Sequence, residues 1–524
     1  MARKGLTRFC GVCSILSVSL AVVLLVAAVV LGTDSDGINA AVERQIDEVL
    51  LVPALSLYLL LLLLFQQVTL KPGHATYEQL QNPTLPIWKD FYFFNLTNPD
   101  EFVEGAKPNL TQVGPYSYRE ERKKTFLWVS PDDSELTYNQ SKLFYWDNAT
   151  SGARLRENDT ICTINIPLLG AIDMVEEYAK EHSGVIGELA KQLLKEIISE
   201  TGARLYVCVE AHDLAWNYTD AFVQKLNRSE VLKLSGLAYP RCCVNLQSNG
   251  SANDSRPSTI YTGVKDIGRI GQFLQWDGMR RLNIWPGETA NDINGTEGLF
   301  FRPNIKEGEP LMAFVDDVIR SFDLTQEKKV KHKGLEAWRY LLNSTTFLSP
   351  LYYHPNSRWG NWEYDGLIYL GVIQYPNVPV YGSQPHFFGG DPILREMVIG
   401  MNPDPKLHTT QIDVEVFTGA NIQFRQVLQL NARAVRNDDF EELANINGTL
   451  YYPVLYINEH AELTESFKNY LEGKGLGMVM GLQEAYWPVF GVLLGLALIL
   501  ILVSMVICGL FIGRLRRREQ YERL

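Results

Sequence analysis

The sequence predicts a membrane-anchored α+β protein: a mostly antiparallel β ectodomain with a helical insert, flanked by two terminal transmembrane helices. Three observations predict it. Uncharged apolar runs occupy residues 12–32 and 489–512. Asparagine glycosylation sequons crowd the region between them. Within that region short runs alternate apolar and polar residues, except near residues 170–235, where the spacing turns helical.

Each terminal run reaches the ~20 residues that a helix needs to cross about 30 Å of hydrocarbon. Arg3, Lys4 and Arg8 precede the first run, and Arg514, Arg516, Arg517, Arg518 and Arg523 follow the second. Basic residues mark the cytosolic side. Residues 1–11 and 513–524 therefore read as cytosolic tails, and 33–488 as an extracellular or luminal domain. The sequons agree: Asn95, Asn109, Asn139, Asn148, Asn158, Asn217, Asn227, Asn249, Asn253, Asn294, Asn343 and Asn447 all fall between the runs. Asn82 is followed by Pro83 and is excluded. The first run exceeds the about 7–15 apolar residues of a signal-peptide core and has no small-x-small cleavage site after it, so it reads as an uncleaved anchor.

Residues 50–65 form a further apolar stretch. A third crossing there would put the sequons in the cytosol and the arginine-rich tail outside, against two independent signals. The stretch reads instead as a buried or membrane-facing helix, or as an insertion outside the usual fold. Each tail carries +3, so the −12 of the whole chain leaves −18 between the spans. So acidic a domain excludes nucleic acid as a partner.

Cysteine is scarce. Cys10, Cys13 and Cys508 sit at the cytosolic edge of the membrane, where S-acylation suits them. Cys162, Cys208, Cys242 and Cys243 lie outside and allow three pairings, with the one that joins the adjacent Cys242 and Cys243 disfavoured by strain.

Strand-like runs rich in β-branched and aromatic residues occur at 91–94, 205–209, 412–417, 422–430 and 451–457. Ile412, Val414 and Val416 alternate with Asp413 and Glu415; Ile422, Phe424, Leu428 and Leu430 oppose Gln423, Arg425 and Gln429. With Thr418, Gly419 and Ala420 between them, these runs predict an antiparallel hairpin. Ile186, Leu189, Leu193 and Ile197 recur at helical spacing and predict an amphipathic helix packed on that stripe, with Ile172, Val175 and Tyr178 on a second one before it.

Catalytic signatures are absent: no nucleophile elbow, zinc-protease helix, phosphate loop or kinase set. Neither an enzyme nor a cofactor is expected, and Cys10 with Cys13 lacks the further ligands of a metal site. Gly473, Gly475 and Gly477 read as a stalk beside the membrane. His386, between Pro385 and Phe387, reads as a structural histidine, and His182 and His212, in or beside the helical insert, as surface groups. Tyr521 and Leu524 fit the tyrosine-x-x-hydrophobic signal read by clathrin adaptors, at a placement compatible with endolysosomal sorting.

Several stretches carry a resemblance to the class B scavenger receptor family, the group of fatty acid translocase and the lysosomal integral membrane protein. They are Phe93-Phe94-Asn95-Leu96-Thr97-Asn98-Pro99, Val113-Gly114-Pro115-Tyr116-Ser117-Tyr118-Arg119, Tyr261-Thr262-Gly263 and Ile293-Asn294-Gly295-Thr296-Glu297-Gly298. Pro385-His386-Phe387 with Asp391-Pro392, Thr418-Gly419-Ala420-Asn421-Ile422-Gln423-Phe424, Gln429-Leu430-Asn431 and Tyr452-Pro453-Val454-Leu455-Tyr456 complete the set, in family order. The resemblance implies a β-barrel-like ectodomain with the helical insert at its apex and an apolar tunnel toward the membrane. It implies lipid or lipoprotein ligands and transfer of fatty acid, sterol or sterol ester, or alternatively pH-dependent escort of a luminal enzyme. Lys180, Lys191 and Lys195 are candidate apical ligand contacts. The family's cysteine cluster is missing, since residues 356–383 contain none and Ala290 and Val318 stand where cysteine is expected.

Overall fold

The computed structural model describes residues 68–182, 184–229, 243–244, 256–285, 289–347, 364–371 and 378–473. The runs at 12–32, 50–65 and 489–512, both tails with Cys10, Cys13, Cys508, Tyr521 and Leu524, and sequons Asn249 and Asn253 lie outside the described residues. Among the described residues no helix is long and apolar enough to cross a membrane.

The strands in chain order are β1 (Ile87–Leu96), β2 (Leu110–Val129), β3 (Glu135–Trp146), β4 (Thr160–Ile164), β5 (Tyr206–Glu210), β6 (Tyr218–Thr219), β7 (Cys243–Val244), β8 (Ser258–Tyr261), β9 (Phe273–Trp276), β10 (Leu311–Val315), β11 (Arg320–His332), β12 (Leu335–Leu342), β13 (Ile368–Tyr369), β14 (Val380–Ser383), β15 (Gln411–Glu415), β16 (Asn421–Val435) and β17 (Thr449–Ala461). Thirteen of them form one antiparallel sheet in the order β10-β11-β12-β15-β16-β17-β1-β2-β3-β8-β9, with β14 on β16 and β13 on β14. The expected hairpin is present: Ile412 pairs Phe424 and Asp413 pairs Gln423 across β15 and β16. Central β17 is buried on nearly every residue, as befits a strand covered on both faces.

The sheet's two outer strands do not pair directly. A short extended segment bridges them: Phe273 N–H of β9 donates to Gly295 O at 2.9 Å, and Phe314 N–H of β10 donates to Thr296 O at 2.8 Å. The sheet thus becomes a nearly closed barrel. Gly295 makes this seam possible. Its φ is +86°, and a Cβ there would stand 2.1 Å from Met312 O.

The barrel has two distinct ends. At its base, β1 begins, β2 turns into β3, β11 turns into β12, and β17 runs out to a helix (Glu465–Leu471). There Tyr470 Oη donates to Ala75 O of helix α1 (Ala75–Gln81) at 3.1 Å, so the first and last described elements meet. The opposite end carries the helical insert. Its principal helices are α2 (Ile166–Glu181), opened by Asn165, which accepts from Leu168 N–H, and α3 (Val185–Thr201), closed by Gly202 in the left-handed region. A disulfide between Cys162 and Cys208 ties β4 to β5 beneath them. This bridge is the one ranked last from sequence, because it leaves Cys242 and Cys243 to each other. The strain argument fails as a filter because those two thiols need not pair.

One helical expectation is corrected. On α3 the buried positions are Gly187, Ala190, Leu194, Ile197 and Ile198, whereas Ile186 and Leu189 of the expected core stripe are 58 % and 52 % exposed. The packed face is rotated because Gly187 and Ala190 let α3 approach α2 closely; a Cβ on Gly187 would lie 2.8 Å from Ala179 Cα.

Candidate functional site

Strand alternation brings a layer of charge into the barrel. On β2, Glu120, Arg122 and Lys124 are alternate residues and so share one face. Cross-strand register places Lys142 of β3 opposite Arg122, and Glu459 of β17 opposite Lys89 of β1. Lys89 Nζ lies 3.3 Å from Glu459 and 3.8 Å from Asp317, which sits in the β10–β11 turn six strands away in the sheet order. Contacts between strands so far apart run across the interior. Arg122 bonds Glu120 at 2.6 Å and Glu459 at 2.9 Å. Lys142 lies 3.4 Å from Asp317 and 3.6 Å from Asp316. Lys124, fully buried, lies 2.8 Å from Glu297, whose other oxygen accepts from Tyr138 Oη at 3.1 Å.

For the carboxylates of these pairs, opposite charge outweighs the desolvation that opposes it. Burial pushes Glu459 up, yet Lys89 and Arg122 hold it down to about 2. Against the same penalty Lys124 and Arg122 hold Glu297 below the ordinary carboxylate range. Lys124 itself is lowered, burial outweighing its partner.

Beside this layer is a cavity lined by Lys89, Asp317, Gln426 and Glu459, with Leu428, Leu430 and Ile457 next to them on the same face of β16 and β17. Toward the apex Trp216 packs against Phe91, Tyr118 and Phe144 at 4.9 to 5.2 Å between rings. The cavity, about 30 Å³, sets charged and aliphatic side chains side by side but is smaller than a lipid, so an acyl chain would need the interior to widen. Sequence reading missed it: β2 carries charge on both faces, with Arg119, Glu121 and Lys123 exposed, so no alternation marked the inner set.

At the apex the candidate lysines separate. Lys191 pairs with Glu176 of α2 at 2.9 Å and Asp439 of the β16–β17 connection at 2.6 Å, a staple between helices and barrel. Lys195 lies over the Phe440 ring at 5.4 Å. Only Lys180 is exposed. Val185, 86 % exposed, joins Ile186 and Leu189 in an apolar tip. His182 stacks on Tyr178 and His212 contacts Asp213, both at the surface. Of the sequon asparagines among the described residues, Asn109, Asn148, Asn158, Asn217, Asn294 and Asn447 are exposed, and Asn95, Asn139, Asn227 and Asn343 are half-buried. Ala290 and Val318, which stand where cysteine was expected, are both buried in the main core.

His386 is structural, as expected. Its Nδ1 accepts from Asn402 N–H at 3.0 Å, which leaves Nε2 to donate to Gln112 Oε1 at 2.6 Å. The ring stacks on His408 at 4.5 Å, and the His386 N–H donates to Gln429, which in turn reaches Asn431. Burial first, then His408, lowers the His386 pKa to about 4. A folded-state value below the ordinary ~6.5 means the unfolded chain binds the proton more readily. Stability is complete above that value and falls as pH drops toward 4, by on the order of 3 kcal/mol. Thermal unfolding of the full-length protein between pH 7 and pH 4 should show this slope. His386→Asn, which tolerates the left-handed φ of 54°, should flatten it; an unchanged slope refutes the assignment.

Comparison with known proteins is consistent with this architecture. Lysosome membrane protein 2 of Mus musculus is 28 % identical over 413 residues, covering 78 % of this chain and 81 % of that protein. The Rattus norvegicus protein of the same name is 29 % identical over 405 residues, covering 75 % and 78 %. Scavenger receptor class B member 1 of Rattus norvegicus is 27 % identical over 375 residues, covering 71 % and 70 %. The CD36 family profile matches residues 49–508, nearly the whole length, and the chain therefore belongs to the CD36 family.

Proposed function

We propose that this chain is a membrane-anchored receptor that takes lipid from a particle or carrier and passes it through the barrel interior to the bilayer. The observation that carries the reading is membership of the CD36 family with scavenger receptor relatives, and the interior cavity, where Lys89 and Glu459 adjoin Leu428, Leu430 and Ile457, marks a place from which a passage could open. A lipid crossing water exposes hydrocarbon at about 0.8 kcal/mol per CH₂, and a lined conduit removes that cost. No catalytic residue is required. Relatives named as scavenger receptors and lysosome membrane proteins support a membrane location. In this reading helices at 12–32 and 489–512 anchor the chain with both tails cytosolic. The sequons carry glycans, Cys10, Cys13 and Cys508 are S-acylated, and Tyr521 with Leu524 recruits a clathrin adaptor. The specific lipid or lipoprotein is to be identified by uptake of labelled fatty acid, sterol and sterol ester in cells expressing the chain. Leu428→Trp, which fills the cavity, should reduce uptake severalfold at unchanged surface display. Equal uptake would overturn the interior route.

A second reading, escort of a luminal enzyme, draws on the exposed tip of Val185, Ile186 and Leu189, which suits a protein partner. A steady-state lysosomal pool that collapses on Tyr521→Ala, without lipid uptake at the cell surface, favours it.

A further inference from the structure

A second exposed apolar patch lies at the other end of the molecule. Leu127, Trp128 and Val129, at the end of β2, are 53 %, 49 % and 39 % exposed in succession. A register shift at Leu127 turns both Trp128 and its neighbours outward, where regular alternation would have buried one of them. This hairpin belongs to the base. Phe126 packs on Tyr77 of α1 at 4.7 Å, Leu70 N–H donates to Thr262 O at 2.9 Å, and Lys71 pairs with Asp133 of the β2–β3 turn at 3.2 Å. The other acid of that turn, Asp132, is matched by Lys265. The hairpin tip is therefore polar but charge-paired, with the apolar shoulder just behind it.

Across the base, the end of β11 and the turn into β12 present Lys328, Lys329, Lys331 and Lys333, all exposed, with Lys328 beside Glu327 at 3.4 Å and Lys329 paired with Glu336. Lys333 pairs with Glu465 of the C-terminal helix at 3.3 Å, which fixes this turn at the same end. In the anchored reading, both chain ends that leave the base lead toward the membrane. Phe65, the last residue of the 50–65 apolar stretch, is three residues from Val68, a reach of about 10 Å. Gly473 is sixteen residues before the 489–512 run.

We propose that the base of the barrel is seated on the bilayer, with Leu127, Trp128 and Val129 immersed in the interfacial region and the lysine-rich end of β11, Lys328 to Lys333, at the headgroups. A tryptophan flanked by aliphatic residues is the composition that favours this depth, and lysines beside it find lipid phosphates. The proposal rests on the anchored reading given above, but it goes beyond it: anchoring by flanking helices leaves the ectodomain free to stand off the membrane, whereas seating fixes its height and tilt.

The test uses the full-length chain in phosphatidylcholine vesicles containing about 20 % phosphatidylserine. A fluorescent unnatural amino acid replaces Trp128, and in a parallel preparation Glu188 of the apex. Flotation reports anchoring separately. The expected result is that lipids with a nitroxide near the carbonyl quench the probe at position 128 at least about twofold, with little effect of aqueous iodide. The probe at position 188 should show the reverse. Vesicles that float with the protein while the probe at 128 answers only to iodide overturn the seating and leave the anchor intact. Failure to float removes both. Because residue 128 is exposed, an unchanged melting profile of the labelled chain is expected and confirms that the probe reads a folded protein.

Discussion

Lys124→Met is expected to destabilise the protein by roughly 3–5 kcal/mol, the cost of leaving a buried carboxylate without its partner. Lys124 is 0 % exposed and lies 2.8 Å from Glu297, with its ammonium 5.4 Å from the Tyr138 ring centroid. Methionine fills the same volume, so packing is preserved and the loss reports on charge. Glu297 would then have to take up a proton or draw on Arg122, whose own partners are Glu120 and Glu459. The loss is a large share of the ~5–15 kcal/mol that holds a typical domain together. Replacing both partners, Lys124→Met with Glu297→Gln, should recover most of it, since a neutral pair carries no unpaired charge. Thermal unfolding of the purified full-length protein reads both variants. A double variant as unstable as the single one would mean that the layer works by shape instead of charge.

The second large effect is expected at the barrel seam. Gly295→Ala places a methyl group 2.1 Å from Met312 O at a φ of +86°, so the β9–Gly295–β10 bridge cannot close as it stands. The comparison is Gly308→Ala, also at positive φ (+76°) but with open space around it. That variant bears only the backbone penalty, about 1 kcal/mol. Gly295→Ala keeps the Asn294 sequon intact, so glycan processing remains a valid reporter. It should be retained in an immature glycoform while Gly308→Ala matures normally. Equal maturation of the two would show that the seam is dispensable.

What could be read from sequence follows from how each residue type reports its surroundings. The β15–β16 hairpin was legible because Ile412 and Val414 alternate with Asp413 and Glu415, although the structure buries all four. The helical insert was legible as helices, but the phase of α3 was not. Large apolar side chains suggested the buried face, whereas close packing on α2 selected the small residues Gly187 and Ala190 and left Ile186 and Leu189 outside. The ionic layer was invisible for the opposite reason: charge on both sides of β2 hides which set points inward until cross-strand register is known. Lys191 looked like a surface ligand contact because its partner Asp439 is 248 residues away. His386 was read correctly, its rigid aromatic flanks already implying a packed ring.

The matching of charge inside the barrel also decides how the protein answers to its medium. Mobile ions screen exposed pairs beyond about 8 Å at physiological strength, but they do not enter a dry interior. The Lys89–Glu459, Arg122 and Lys124 contacts are sheltered in that way, whereas the Lys191 staple at the apex ends on Asp439, an exposed carboxylate. Brine should therefore loosen how the helices sit and what they hold, while the scaffold below keeps its form in dilute and concentrated fluids alike.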